Sequence, residues 1–272
     1  MGTDHSVATT TTQLVGTTPE SISAFGQWLA LSRRGIVHIV KNGEFVFAIV
    51  SPLFLAICFY LPLRKVMALQ GIDYAQFLMP IIVLQSVGFA ASSAAMRSAI
   101  DGDKGINTRF RVLPMNPAIP PLARLATNTT LLCVSVIFAT IICLIIGWRP
   151  HGGVAGLAAL YGLSLLIGVA GSLLADGLGM AAGSPEATSQ ATALPLLILG
   201  MCSTGFATAQ SFPTWLQPFA RNQPISQWAN ALRAVDAGDF SWYSIGPALW
   251  WCVGLSVVAA IALGFGVRKA GR

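Results

Sequence analysis

Six stretches of this chain are each long enough to cross a lipid bilayer and carry almost no charge at their centres. They fall at about 44–63, 75–97, 122–147, 154–176, 190–210 and 245–267. A helix needs about 20 apolar residues to cross roughly 30 Å of hydrocarbon. In lipid, backbone polar groups find no water and must be satisfied within the protein. Composition leads the same way: 10% of residues are charged, against about 25% in soluble domains. The expected fold class is all-α integral membrane, with six transmembrane helices.

Several of these stretches contain residues that would break a soluble helix, namely Pro52, Pro62, Pro80 and Pro195. Within a bundle, neighbouring helices and hydroxyl side chains can satisfy the backbone groups that proline frees. Orientation follows from Lys and Arg, which concentrate on the cytoplasmic side. If the chain starts in the cytoplasm, eleven of the 16 basic residues lie inside and five outside. A multi-pass protein of the plasma (inner) membrane with both termini cytoplasmic is expected. The same asymmetry accounts for the net charge of +6, and no basic face interleaved with aromatics points to nucleic acid.

Three segments flank the spans. Residues 1–20 are rich in Thr and Ser, with neither a charged start nor an apolar core. They are expected to form a disordered cytoplasmic tail rather than a signal peptide. Over 22–41, Ile22, Phe25, Leu29, Ile36 and Val40 share one helical face, while Gln27, Arg34, His38 and Lys41 share the other. That pattern fits an interfacial helix with its basic side toward anionic headgroups.

Residues 211–239 hold Trp215, Phe219 and Trp228 between prolines. They read as two short amphipathic helices on the outer face, bent at Asn222–Pro224 because proline disfavours helix at the residue before it. Ser226 is placed to bond backbone groups at the start of the second piece. The aromatics either lid the outer end of a path or anchor the protein at the interface. Small residues at Gly152–Gly156 and Gly179–Gly183 are spaced for close helix contact, a weak signal in a chain with 27 glycines.

No reactive constellation is apparent. His5, His38 and His151 lie in separate loops, the five cysteines sit in apolar stretches without a C-x-x-C pair, and no P-loop occurs. No catalytic, cofactor-binding or metal-ligating residues are assigned. Glu44 and Asp176 lie near span ends, so the span centres lack the ionisable groups with which secondary transporters bind protons or sodium.

The loop at 98–121 mixes both charge signs with prolines, which suits docking to a soluble partner. Asp103, Lys104, Gly105, Arg109 and Pro114 follow a D/E-K/R-G-x-x-x-R-x-x-x-x-P pattern, with Phe110 inside R-F-R. Pro213–Phe219, Asn222–Ser226 and Ala231–Arg233 form a second set of motifs before the last span. Together these resemble ABC exporter permeases of the type-2 class, in particular the daunorubicin-resistance branch, which includes mycobacterial exporters of complex wall lipids. Many type-2 permeases carry a glutamate in the loop where this chain has Asn107 and Thr108.

The resemblance implies a type-2 ABC transmembrane domain over 21–272, with an extracellular re-entrant helical hairpin at 211–239. It implies two copies of a nucleotide-binding ATPase subunit that bind ATP and Mg, and a second permease, identical or related. This chain would then carry no cofactor and move a hydrophobic lipid or drug substrate outward from the membrane lipid. Asp103, Lys104, Gly105, Arg109, Phe110 and Pro114 would couple to the ATPase. Trp215, Phe219, Asn222, Pro224, Ser226 and Trp228 would form the outer gate. The competing classes are an ATPase-independent carrier or channel and a lipid-modifying membrane enzyme.

Overall fold

The structure is a computed structural model and describes residues 23–112, 115–116, 118–182, 184–206 and 208–269. The expected tail at 1–20, Ile22, Pro114 and Gly183 lie outside the described residues. Ten α-helices follow in order: α1 Ala24–Lys41, α2 Glu44–Leu69, α3 Tyr74–Asp103, α4 Ile106–Val112 and α5 Ile119–Ile146. Then come α6 Gly153–Ala182, α7 Pro185–Met201, α8 Gln217–Asn222, α9 Pro224–Asp236 and α10 Trp242–Lys269.

Five of these are long and apolar enough to cross a membrane: α2, α3, α5, α6 and α10. The expected fifth span corresponds to α7, whose 17 residues make it shorter than the other five. The expected loop at 98–121 is mostly helix. α3 runs on to Asp103, Gly105 turns the chain with φ +65°, and α4 follows at once. A left-handed residue at that turn favours glycine, which has no Cβ to clash.

α3 is the most enclosed span, packed against α2, α5, α6, α7 and α9. Hydroxyls on α3 and α5 bond back to the preceding turn: Ser86 donates to the Ile82 carbonyl at 2.9 Å and Thr140 to Val136 at 2.8 Å. These side-chain hydroxyls are thereby satisfied without water. α2, α7 and α10 instead present exposed apolar side chains, such as Phe47, Phe54, Leu197 and Val257. A soluble monomer rarely exposes so much contiguous apolar surface; here hydrocarbon is the solvent.

α1 begins at Ser23, whose Oγ accepts the Gly26 N–H at 3.1 Å, an N-cap that satisfies one orphan donor. Phe25, Leu29, Ile36 and Val40 are all exposed on one side, as the sequence periodicity predicts. The adjoining flank, with Ser32, Gly35 and Ile39, lies on α5, where Gly35 sits so close to Thr127 that any added Cβ would collide. Arg34 and His38 therefore turn toward a cavity beside α3 and α5 rather than simply outward to headgroups.

Among the described residues, three of the four spaced glycines have structural partners. Gly179 lies against the Ala95 carbonyl and Ser98, joining α6 to α3. Gly152 and Gly156 lie against the backbone of Val235 and Asp236, joining the start of α6 to the end of α9. A Cβ at Gly156 would stand 2.7 Å from the Val235 carbonyl oxygen, which cannot swing aside as a side chain can. Gly156→Ala is expected to destabilise the fold by about 1–3 kcal/mol. Gly162→Ala, on the same helix with open space around it, should leave the melting temperature of the detergent-solubilised chain unchanged or slightly raised.

Candidate functional site

At the end of the bundle where α3 finishes and α5 begins, a chain of polar groups ties four helices together. Arg97 on α3 forms an ion pair with Glu44 at the start of α2. Its Nη2 also donates to Asn128 Oδ1 on α5 at 2.6 Å. Asn128 in turn donates through Nδ2 to Asp176 Oδ2 on α6 at 3.1 Å. Ser98 completes the tie by donating to the Asp176 carbonyl at 3.0 Å.

Asp176 is only 7% exposed and Asn128 only 3%. A charge removed from water is tolerated only when it is paired or hydrogen-bonded. Sequence reasoning placed Asp176 near a span end without a partner assigned to it. In the structure it is buried and reaches Arg97 through Asn128, an α5 residue with no sequence signal of its own.

Next to this tie lies a cavity of about 230 Å³ under α1, lined by charged groups from α1, α3 and α5. Phe110 of α4 is half-buried and faces into it, as does Lys104. Asp103 and Arg109 are exposed, and Val112 at the tip of α4 is an exposed apolar side chain. Of the residues singled out in this loop, Lys104 and Phe110 thus face inward, while Asp103 and Arg109 face out.

The segment between α7 and α10 is built around the turn at Gln223. Its backbone is extended, with φ −66° and ψ 156°, and Pro224 opens α9 at the first helical position, where its missing N–H costs nothing. Ser226 does not cap this helix. It is fully buried, and its Oγ accepts the N–H of Thr204 at 3.0 Å, pinning the chain that leaves α7. Asn222 accepts from Trp251 Nε1 through its carbonyl at 3.1 Å, which fastens the end of α8 to α10.

Trp228 points inward and donates from Nε1 to the Ala248 carbonyl at 3.2 Å. Trp215 and Phe219 do not share that orientation: both are exposed. The inward turn expected of all three aromatics is met by Trp228 alone. It helps close an apolar cavity of about 240 Å³ between α3, α6 and α7, with Leu84, Gly88, Ile167, Leu178 and Leu196 among its walls.

Arg233, quoted within a motif but not selected as a site residue, is the strongest anchor of this region. Its guanidinium donates to the Phe77 carbonyl at 2.9 Å and to the Thr204 and Gly205 carbonyls at 3.2 Å, and it lies 4.3 Å over the Phe77 ring. The planar fork of five donors makes such multiple engagement possible, where lysine offers a single point. Burial pushes Arg233 down to about 10, so it remains cationic at neutral pH. Asp236, at the other end of α9 from the Pro224 bend, accepts from Trp148 Nε1 at 3.1 Å, and burial raises its carboxyl. For Arg233, its place in the quoted Ala231–Arg233 motif was the available sequence signal.

The polar tie makes a testable claim. Asn128→Ala would leave the buried Asp176 without its partner, at an expected cost of about 1–3 kcal/mol. Asp176→Ala in the same background should add less than it costs alone, giving a coupling energy of about 0.5–3 kcal/mol in a double-mutant cycle. Full additivity in thermal or denaturant unfolding of the purified chain would show that the two groups do not act together.

Residues 26–236 match the ABC-2 type transporter family. The doxorubicin resistance ABC transporter permease protein DrrB of Mycobacterium tuberculosis is 32% identical over 256 residues, covering 89% of this chain and 88% of the relative. The daunorubicin resistance ABC transporter permease protein DrrB1 of Streptomyces coeruleorubidus is 26% identical, over 70% of this chain and 66% of its own. The probable doxorubicin resistance ABC transporter permease protein DrrC of Mycobacterium tuberculosis is 25% identical, over 71% and 70%. The match spans α1 to α9, taking in the polar tie, α4 and the outer helices. The chain therefore belongs to the ABC-2 type transporter family, as a multi-pass membrane permease subunit whose ATP hydrolysis resides in a separate ATPase subunit.

Proposed function

We propose that this permease moves an amphiphilic drug or a lipid outward across the plasma membrane, as one of two permeases seated on two ATPase subunits. The carrying observation is the apolar cavity closed by Trp228 within a chain whose relatives are named for doxorubicin and daunorubicin resistance. Its volume of about 240 Å³ falls below the roughly 300–1,000 Å³ of drug-sized sites. A substrate of that size would need the wall to open or a second permease, identical or related, to complete it. Energy from an ATPase suits spans whose centres carry no ionisable group for ion coupling.

Six crossings are the better reading of the topology. α7 is about 25 Å long at 1.5 Å per residue, but Gly88 of mid-α3 meets Leu196 of α7, and Gly205 just beyond meets Ile81 nearer the start of α3. The segment thus climbs alongside α3 toward its first turns. α8 and α9 then form the extracellular hairpin, and α10 returns to meet Gly177 near the end of α6 through Ala262. Both termini would then be cytoplasmic, as the basic residues suggest.

α4 is the proposed contact with the ATPase. It presents Arg109 and the exposed Val112 outward, while Lys104 and Phe110 face the cavity under α1. Exposed arginines beside apolar side chains are frequent energetic centres of interfaces. Asp103, Gly105 and Pro114 belong to the same docking segment in this reading. On the outer side, Trp228 would act as the lid, with Pro224 and Ser226 holding the bend and Asn222 fixing α8 to α10. Trp215 and Phe219 would serve as interfacial anchors.

Co-expression with the partner ATPase tests both assignments. Arg109→Ala should lower substrate-stimulated ATP hydrolysis and export about tenfold, the effect of a lost interface anchor, with membrane insertion unchanged. Trp228→Ala should change export, whereas Trp215→Ala should not; equal behaviour of the two tryptophan variants would refute the lid. Orientation is read by single cysteines on a cysteine-free background, exposed to an impermeant thiol reagent in intact cells. Tyr243→Cys, 92% exposed in the structure, should be labelled, while Ser23→Cys and Lys104→Cys should not. Labelling at position 104 would reverse the topology.

A further inference from the structure

We propose that Gln85 selects what enters the apolar cavity closed by Trp228. It admits molecules that carry a neutral carbonyl or hydroxyl within an apolar body, and it turns away plain acyl chains. The inference rests on the carriage role proposed for that cavity and names the chemistry the cavity accepts. Depth gives Gln85 its significance. It stands 11 residues beyond Tyr74, the first residue of the 30-residue α3. That is about 17 Å along the helix at 1.5 Å per residue, near the middle of a hydrocarbon layer roughly 30 Å thick. Its side chain lines the cavity among Ile81, Leu174, Leu199 and Leu255, and no ionic side chain among the described residues joins them.

Other polar side chains in the spans show what Gln85 lacks. Ser86, Ser135, Thr140 and Ser256 each donate to the carbonyl one turn back. Thr192, on the α7 wall of the cavity, donates to the Thr188 carbonyl at 2.9 Å. A hydroxyl is short enough to be engaged on its own helix in this way. Gln85 has no hydrogen-bond partner among the described residues. Ser92, two turns further along α3, lines the same cavity and is likewise without one. Ser164 and Ser172 of α6 also lack partners, but both are buried and neither lines the cavity. An unmatched amide at mid-membrane depth is costly, and a polar side chain kept there at such cost marks a substrate path.

The ligand chemistry follows from this one amide. A charged group entering the cavity would lose its hydration and meet no counter-charge. A pure hydrocarbon suits the walls but strands the amide. A carbonyl accepts from the amide N–H, and a hydroxyl engages either end of it. A site built to hydrogen-bond its ligand rejects the analogue that lacks the polar group, because the buried partner is then left unpaired. In a membrane that rejection has a particular use. Bilayer lipids hold their polar groups at the surfaces and present only acyl chain at mid-depth. The amide therefore keeps the cavity for molecules that are polar at a depth where the surrounding lipid is not.

The test pairs two tritiated probes of one shape, a dimethylaminonaphthalene bearing a propionyl group and its analogue bearing a propyl group instead. Each is titrated against the full chain in mild detergent by scintillation proximity, with Gln85→Met, Gln85→Leu and Leu196→Ala beside the unaltered chain. Comparing one probe across variants cancels its partition into micelles. Gln85→Met should weaken the ketone about tenfold relative to the propyl probe, the value of one hydrogen bond whose partner stays buried. Gln85→Leu should do the same. Leu196→Ala removes part of the apolar wall and should weaken both probes alike. If both Gln85 variants change the two probes equally while Leu196→Ala weakens both, the cavity binds but Gln85 does not select, and the inference is overturned. If Leu196→Ala changes neither probe, the cavity is not their site, and the carriage reading falls together with the inference.

Discussion

The bundle depends on one half-buried cation. Arg97 is held by Glu44 and Asn128, and Asn128 holds Asp176, so a single guanidinium organises α2, α3, α5 and α6 at one end. In hydrocarbon, apolar helices gain little from meeting one another, because lipid tails are as apolar as leucine. What specifies the arrangement is therefore close contact between small residues and satisfaction of polar groups. Each member of the tie is costly if left alone and inexpensive only when all are present. The network thereby fixes which faces of four helices meet, a task that leucines sliding past one another cannot perform.

The opposite end uses the same physics with another arginine. Arg233 collects the carbonyls of Thr204 and Gly205, just past the end of α7, together with that of Phe77 in the first turn of α3. The first two lie beyond the helix and have no intrahelical partner, and a membrane-embedded helix end without one would be strongly disfavoured. The guanidinium lets α7 stop at Met201 and lets the chain fold back as α8 and α9 without stranding polar backbone. Ser226 serves the same end by meeting the Thr204 N–H. The outer segment is thus fastened to the spans by side chains rather than by apolar burial alone.

Much of this was legible in the sequence, for reasons that differ by element. The long apolar runs announced α2, α3, α5, α6 and α10 because hydrocarbon imposes length and composition together. The face of α1 was legible because Phe25, Leu29, Ile36 and Val40 recur at helical spacing. The extended turn at Gln223 followed from the restriction that Pro224 places on its neighbour. Pairing across helices was not legible: nothing near Asn128 in sequence indicates that it bridges residues 31 positions upstream and 48 positions downstream. Nor could periodicity tell that Trp228 turns inward while Trp215 and Phe219 turn out, since that depends on where α10 supplies the Ala248 carbonyl. The glycine spacings looked like chance until their partners on α3 and α9 were visible.

α6 joins these two ends in one piece. Near its start, Gly156 lies against the last turn of α9; 20 residues later, Asp176 enters the ionic tie. At 1.5 Å per residue the two points stand about 30 Å apart, the thickness of the hydrocarbon layer. Neither contact has slack, one being backbone on backbone and the other a buried hydrogen bond. α6 is consequently a lever spanning the bilayer: if α9 shifts while its contact with Gly156 holds, the shift is carried to Asp176, unless α6 itself bends. Between those points α6 contains no proline, and Gly162, Gly168 and the Gly171–Ser172 pair are the places where it would bend. A shift of α9 is therefore either carried whole along α6 to the ionic tie or absorbed at those glycines.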